Sequence, residues 1–145
     1  SRILGYVAVN SGMDVKVSEV HGMSQRGGSV VTYVKMGDKV HSPIIEKNEA
    51  DILLCFEQLE ALRWIDYARK DASVIINYPN VIAVPALEMA RECGSIKAVN
   101  VVMIGVMARS IKVDKDIWIK AIENTVKPQF VDMNIKAFLA GYEQK

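Results

Sequence analysis

The sequence predicts an α/β domain built in layers around a mixed sheet. Three observations carry this expectation. Short β-branched runs alternate with stretches whose apolar residues recur at helical spacing. Two of the runs, Ile52-Leu53-Leu54-Cys55-Phe56 and Val74-Ile75-Ile76, are apolar throughout, as strands covered on both faces are. A Gly37-Asp38 pair between two strand-like runs has hairpin chemistry, which makes the sheet mixed rather than purely parallel.

Taken in order, residues 3–9 read as a helix with Leu4, Val7 and Ala8 on one side, ending near Gly12. Residues 14–20 read as a strand. Residues 29–36 form a second, longer strand, with Val31, Tyr33 and Lys35 on one face and Val30, Thr32 and Val34 on the other. Gly37-Asp38 is expected to return the chain as a strand over 39–42, which Pro43 ends because proline has no N–H for a ladder. Residues 51–56 read as a buried strand. They feed a helix over 57–69, with Leu59, Leu62, Trp64, Ile65 and Ala68 at helical spacing. Strands follow at 73–77 and 81–84. Pro85 suits the start of a helix over 86–92, and Gly94 suits its end. Residues 99–108 carry β-branched side chains that favour a strand, but Met103, Gly105, Met107 and Ala108 suit a tightly packed helix, which is the preferred reading. Asp114 is placed to cap a helix over 115–126, Pro128 follows its end, and 129–142 make a last amphipathic helix with Phe130, Met133, Ile135, Phe138 and Leu139.

The 145 residues suit one domain, spanning 1–145. Eighteen basic and 17 acidic residues leave a net charge of +1, so the chain carries no electrostatic footprint for nucleic acid. The longest nearly unbroken apolar stretch, 99–108, is too short to span a bilayer, and no membrane association is expected. No charged-then-apolar signal segment opens the chain. The two cysteines, Cys55 and Cys93, are far apart and form no Cys-x-x-Cys pair. Cys55 reads as a small core residue, and reduced thiols fit a cytoplasmic protein. His21 and His41 have no matching carboxylate or thiol cluster, so no metal site is expected. An apolar share of 50%, with seven methionines, predicts a face buried against a partner or in a homodimer.

The segment richest in functional chemistry is 18–31, Ser-Glu-Val-His-Gly-Met-Ser-Gln-Arg-Gly-Gly-Ser-Val-Val. It holds one imidazole, one amide, one guanidinium and three glycines between two strands. Gly27-Gly28 allows positive φ and close approach of another molecule, and Arg26 is a permanent cation with a planar fork of donors. Successive backbone amides in such a turn form an anion nest. His21, Ser24, Gln25, Arg26, Gly27, Gly28 and Ser29 are therefore the candidate anion- or partner-binding residues. The competing reading is a Gly-Gly turn whose arginine makes an internal ion pair. If strands 14–20 and 51–56 are parallel neighbours, Glu57 shares a rim with His21 and Arg26, although helix capping alone accounts for a carboxylate at that place.

The run from Val17 to Val31 resembles the small subunit of indolepyruvate:ferredoxin oxidoreductase, equivalent to the gamma domain of pyruvate and other 2-oxoacid:ferredoxin oxidoreductases. The resemblance continues in Ser42-Pro43-Ile44-Ile45, in Ala50-Asp51-Ile52-Leu53-Leu54-Cys55-Phe56-Glu57-Gln58-Leu59-Glu60-Ala61-Leu62-Arg63, in Ala98-Val99-Asn100-Val101-Val102-Met103-Ile104-Gly105 and in Asn134-Ile135-Lys136-Ala137-Phe138. Together with the order of elements it implies a three-layer α/β/α sandwich with a mixed, mostly parallel, Rossmann-like sheet. The strand and glycine-rich turn that usually open the family are absent here.

The resemblance implies a subunit without catalytic residues of its own. The holoenzyme oxidatively decarboxylates a 2-oxoacid, forms an acyl-CoA and reduces ferredoxin. Thiamine diphosphate and 4Fe-4S clusters are expected in a large partner subunit. The target expected at the 21–29 loop is a phosphate of coenzyme A or of thiamine diphosphate, or a carboxylate of the partner. The His-Gly-Met-Ser-Gln-Arg-Gly-Gly form is closest to the indolepyruvate type and points to an aryl pyruvate, with pyruvate or 2-oxoglutarate as alternatives. A stand-alone nucleotide- or anion-binding module of the same fold is the reading from another class. One departure concerns the chain's interior. Asn77-Tyr78-Pro79-Asn80 joins two strand-like runs directly, where the family carries a longer connection. Either residues are lacking there or the two runs form a hairpin.

Overall fold

A computed structural model of the chain describes residues 1–21, 28–77 and 84–144. Helix α1 (Arg2–Asn10) ends at Ser11 and Gly12, and Gly12 takes a φ of 75° that a side chain would resist. Strand β1 (Asp14–His21) pairs antiparallel with β2 (Val30–Gly37) over their whole length, from Asp14↔Gly37 to His21↔Val30. Strand β3 (Ala50–Cys55) leads through α2 (Gln58–Trp64) and a short 3-10 turn (Ile65–Tyr67) to β4 (Ala68–Ile76), which runs parallel to β3. The remainder is helical: α3 (Ala86–Glu92), α4 (Val99–Ala108), α5 (Lys115–Thr125) and α6 (Val131–Glu143).

The pleat of β3 divides the molecule into layers. Ile52 and Leu54, with Ile75 of β4, pack on the main core. That core is built from α1, α3, α4, α5 and α6, and Trp118, Phe138, Met103, Ile122, Val7 and Val102 are its largest fully buried side chains. Alternation turns Leu53 and Cys55 the other way, toward α2, whose Ala61 is buried outside that core. Helices therefore lie on both faces of β3–β4, as the α/β layering requires.

Helix α4 is apolar almost all round, with seven of its ten residues buried, which is the pattern of a central helix. It crosses α6 at two glycines. A Cβ on Gly105 would collide with the Phe138 carbonyl oxygen, and one on Gly141 with that of Val102. Trp118 stacks on Phe138 at 6.0 Å and Phe138 on Tyr142 at 5.6 Å, filling the space beside this contact.

Several expectations are corrected. Residues 39–42 form no strand, and the hairpin is β1–β2, not a turn at Gly37-Asp38. Side chains hold the 38–49 segment instead of a ladder. Asp14 Oδ2 accepts the Val40 N–H at 2.9 Å, and Lys35 Nζ donates to the Ile44 carbonyl and to Glu49. The helix expected over 57–69 stops at Trp64, because Ala68 and the residues after it are taken up by parallel pairing with β3. The described strands make two two-stranded sheets, so β1 and β3 are not paired neighbours. Asp114 stands at the start of α5 without a capping hydrogen bond from its side chain. The last helix begins at Val131, after a 3-10 turn at Pro128–Phe130. Four methionines, Met89, Met103, Met107 and Met133, lie in or against the core and not on an open face.

Residues 81–83 lie outside the described residues, but Val84 forms an isolated bridge with Asn77, and that bridge is parallel. A hairpin would place the two antiparallel, so that reading of the 77–84 connection is overturned.

Candidate functional site

β1 and β2 carry the two ends of the candidate loop. His21 closes β1 opposite Val30, exposed, on the face of the hairpin opposite Tyr33. Gly28 and Ser29 lead into β2, both exposed. Ser24, Gln25, Arg26 and Gly27 lie outside the described residues. Glu57 is exposed and extended, one residue before α2, and its side chain makes no capping hydrogen bond. With β1 and β3 not paired, the condition for Glu57 to share a rim with His21 and Arg26 is not met.

The carboxylate that meets the loop's end is Glu60, which the sequence reading passed over. Its Oε2 accepts the Ser29 hydroxyl at 2.7 Å and the Trp64 indole N–H at 3.1 Å. Arg63 Nη1 lies 3.6 Å from Oε1. An ionised carboxylate is acceptor-only, so it can take both hydrogen bonds while its charge faces the Arg63 guanidinium. The Ser29 hydrogen bond, helped by Trp64 and Arg63, holds Glu60 below its ordinary carboxylate range. Beneath this contact Trp64 meets Tyr33 edge-on at 6.5 Å and Tyr67 at 5.0 Å, so α2 is wedged against β2 by aromatic rings. Burial, with Tyr67 alongside, raises the Tyr33 hydroxyl above its ordinary value. One signal for Glu60 was available. It stands four residues before Trp64, the spacing that brings two helix side chains together.

Two further features bear on chemistry. The outward side of α2 bears two exposed leucines, Leu59 at 76% and Leu62 at 70%, next to the exposed Arg63. Cys55, buried under α2, has its thiol pushed up from 9.0 to about 11, first by burial and then by the Glu60 charge. Among the described residues, no group of three or more His, Cys, Asp or Glu could hold a metal ion, and no helix is long and apolar enough to cross a membrane. A 4Fe-4S cluster takes four thiolates, and the whole sequence has two cysteines, so its residues do not fit such a cluster. A shallow groove between α1 and α5, rimmed by Arg2, Tyr6, Asn10 and Asn124, stands apart from these elements.

Residues 1–144 match the family model described as pyruvate ferredoxin/flavodoxin oxidoreductase. The chain belongs to this family. The indolepyruvate oxidoreductase subunit IorB of Pyrococcus horikoshii is 34% identical over 173 aligned positions, covering 97% of this chain and 86% of its own length. The ketoisovalerate oxidoreductase subunit VorA of Methanothermobacter thermautotrophicus is 30% identical over 97% of this chain but 32% of its own length. Among solved structures, the gamma subunit of a keto/oxoacid ferredoxin oxidoreductase from Geobacter sulfurreducens superposes with a TM-score of 0.79 at 22% identity, covering 97% of this chain and 86% of that one. That likeness bears on the fold and confirms the α/β class. This chain is thus a subunit of an oxidoreductase of the 2-oxoacid type. The 173 aligned positions exceed the 145 residues of the chain, so the Pyrococcus relative has residues within the aligned stretch that this chain lacks.

Proposed function

We propose that this chain, as one domain over 1–145, is the small subunit of an indolepyruvate-type 2-oxoacid:ferredoxin oxidoreductase. The observation that carries this reading is the IorB relationship across nearly the full length of both chains. The VorA relative matches within a much longer chain, of which this one covers 32%, whereas the IorB relatives match along most of their own length, which favours the indolepyruvate type. Thiamine diphosphate and iron–sulfur clusters reside in a large partner subunit, and ferredoxin takes electrons from the complex. The two cysteines of the whole sequence, too few for a 4Fe-4S cluster, support that division of labour. The exposed leucines of α2 offer an apolar surface for the partner, on the helix that also meets Ser29 through Glu60. Arg26 and the backbone amides of Gly27 and Gly28 engage a phosphate of coenzyme A or thiamine diphosphate, or a carboxylate of the partner. Free cysteines suit a cytoplasmic complex.

The test is reconstitution. The isolated chain, given indolepyruvate, coenzyme A and an electron acceptor, is expected to turn over nothing. The same assay gains activity when the large subunit is added. Turnover by the isolated chain, or full activity of the large subunit without it, overturns the subunit reading.

A further inference from the structure

Glu60 is a helix-surface residue that a solvated side chain would satisfy, yet two hydrogen-bond donors and one cation converge on it. Trp64, which donates, and Arg63, which forms an ion pair, belong to its own helix. The other donor, Ser29, is 31 residues away in sequence and sits one residue before β2 begins. A hydroxyl-to-carboxylate contact of 2.7 Å is in the short, charge-assisted range. Trp64 is itself held between Tyr33 and Tyr67, so the carboxylate is fixed from below by its indole partner. We propose that Glu60 is a positioning residue, setting where the chain leaves the 21–29 loop and enters β2. The proposal rests on the reading of that loop as the functional edge of the subunit.

The structure gives this contact little to do for stability. Ser29 is exposed, the bond lies outside the main core, and exposed polar pairs contribute little. Its effect is geometric, since it ties the strand entry to α2, the helix that also bears Leu59 and Leu62. Loss of the tie is expected to show in what the loop does within the complex and not in folding.

The experiment uses the complex reconstituted with the large subunit. Ser29→Ala, Glu60→Ala, Glu60→Gln, the Ser29→Ala/Glu60→Ala double variant and Arg26→Ala are compared. The readouts are the apparent KM for coenzyme A, kcat, and the dissociation constant of the two subunits. Arg26→Ala defines which of the three the loop controls. Glu60→Ala is expected to move that same parameter several-fold in the same direction, with the isolated chain's melting temperature little changed. Ser29→Ala should reproduce the shift, the double variant should add nothing to Glu60→Ala, and Glu60→Gln should be intermediate, because its amide oxygen still accepts. If Arg26→Ala impairs the complex while Glu60→Ala and Ser29→Ala behave like the parent, the positioning role is overturned and the loop reading stands. If Arg26→Ala is also without effect, the loop reading itself falls, and this proposal with it.

Discussion

Cys55 shows how burial, with a neighbouring charge, retunes a group in this fold. Its thiol sits at the end of β3 under α2, with Glu60 adding negative charge nearby, and both effects favour the protonated form. A raised value in the folded state means the contribution to stability is fully present below the ordinary value of 9.0 and is lost as pH rises toward about 11. The melting temperature should therefore fall over that alkaline window, and a Cys55→Ala variant should lose the Cys55-dependent part of the fall. Alkylation gives a second check. Cys55 should resist iodoacetamide at neutral pH in the native chain and react once the chain is denatured. Rapid native labelling of Cys55 would contradict its placement. At this scale the sequence was a partial guide. Gly28 and Ser29 stand before β2 as residue type and local order suggest, whereas His21, expected beyond the first strand, is its last paired residue. For Glu60 only the i,i+4 spacing to Trp64 is local; its other hydrogen-bond partner, Ser29, is distant in the chain and meets it only in the fold.

Whole elements follow the same division between local and long-range causes. Helix α4 was readable from its small and unbranched residues despite its β-branched ones, and it occupies the bounds expected of it, 99–108. Strand β3 was readable as an unbroken apolar run. The strand expected over 39–42 was not formed, because Asp14, brought alongside by the hairpin, takes the Val40 N–H that a ladder would have used. The helix after β3 stops early because parallel pairing from Ala68 outweighs the helical spacing of residues 65–69. The strongest packing constraint between elements is the α4–α6 crossing. Carbonyl oxygens of each helix lie where a side chain on the other's glycine would begin, and backbone cannot move aside as a flexible side chain can. Gly141→Ala is therefore expected to destabilise the chain by about 1–3 kcal/mol or more, the usual cost of overpacking a filled interior. Denaturant unfolding measures it. Gly5→Ala serves as the control, since a Cβ there meets nothing within 4 Å. Equal midpoints for the two variants would show that α4 and α6 are not in backbone contact.

The molecule as a whole joins a helical core to a parallel pair of strands, with the β1–β2 hairpin and α2 on the outer side. Its one topological tension lies between Asn77 and Val84. Their bridge is parallel, and six residues separate them. Parallel neighbours ordinarily need a crossover of about a dozen residues or more, because the chain must return to the end of the sheet from which it started. The β3–α2–β4 unit in this chain satisfies that rule with twelve intervening residues, 56–67. The 77–84 connection does not, and the IorB relative aligns over more positions than this chain has residues. A crossover leaving β4 in the right-handed sense, and continuing the direction from β3 to β4, would run on the α2 side, over Val74, which is 38% exposed. Inserting the relative's own residues between Asn77 and Val84 is accordingly expected to raise the melting temperature and to extend the parallel pairing beyond the single bridge. Thermal unfolding reads the first effect, and amide hydrogen exchange at Val84, whose N–H donates to the Ile76 carbonyl at 3.2 Å, reads the second. A lower melting temperature with faster exchange at Val84 would mean that the short connection is the one this fold is built on.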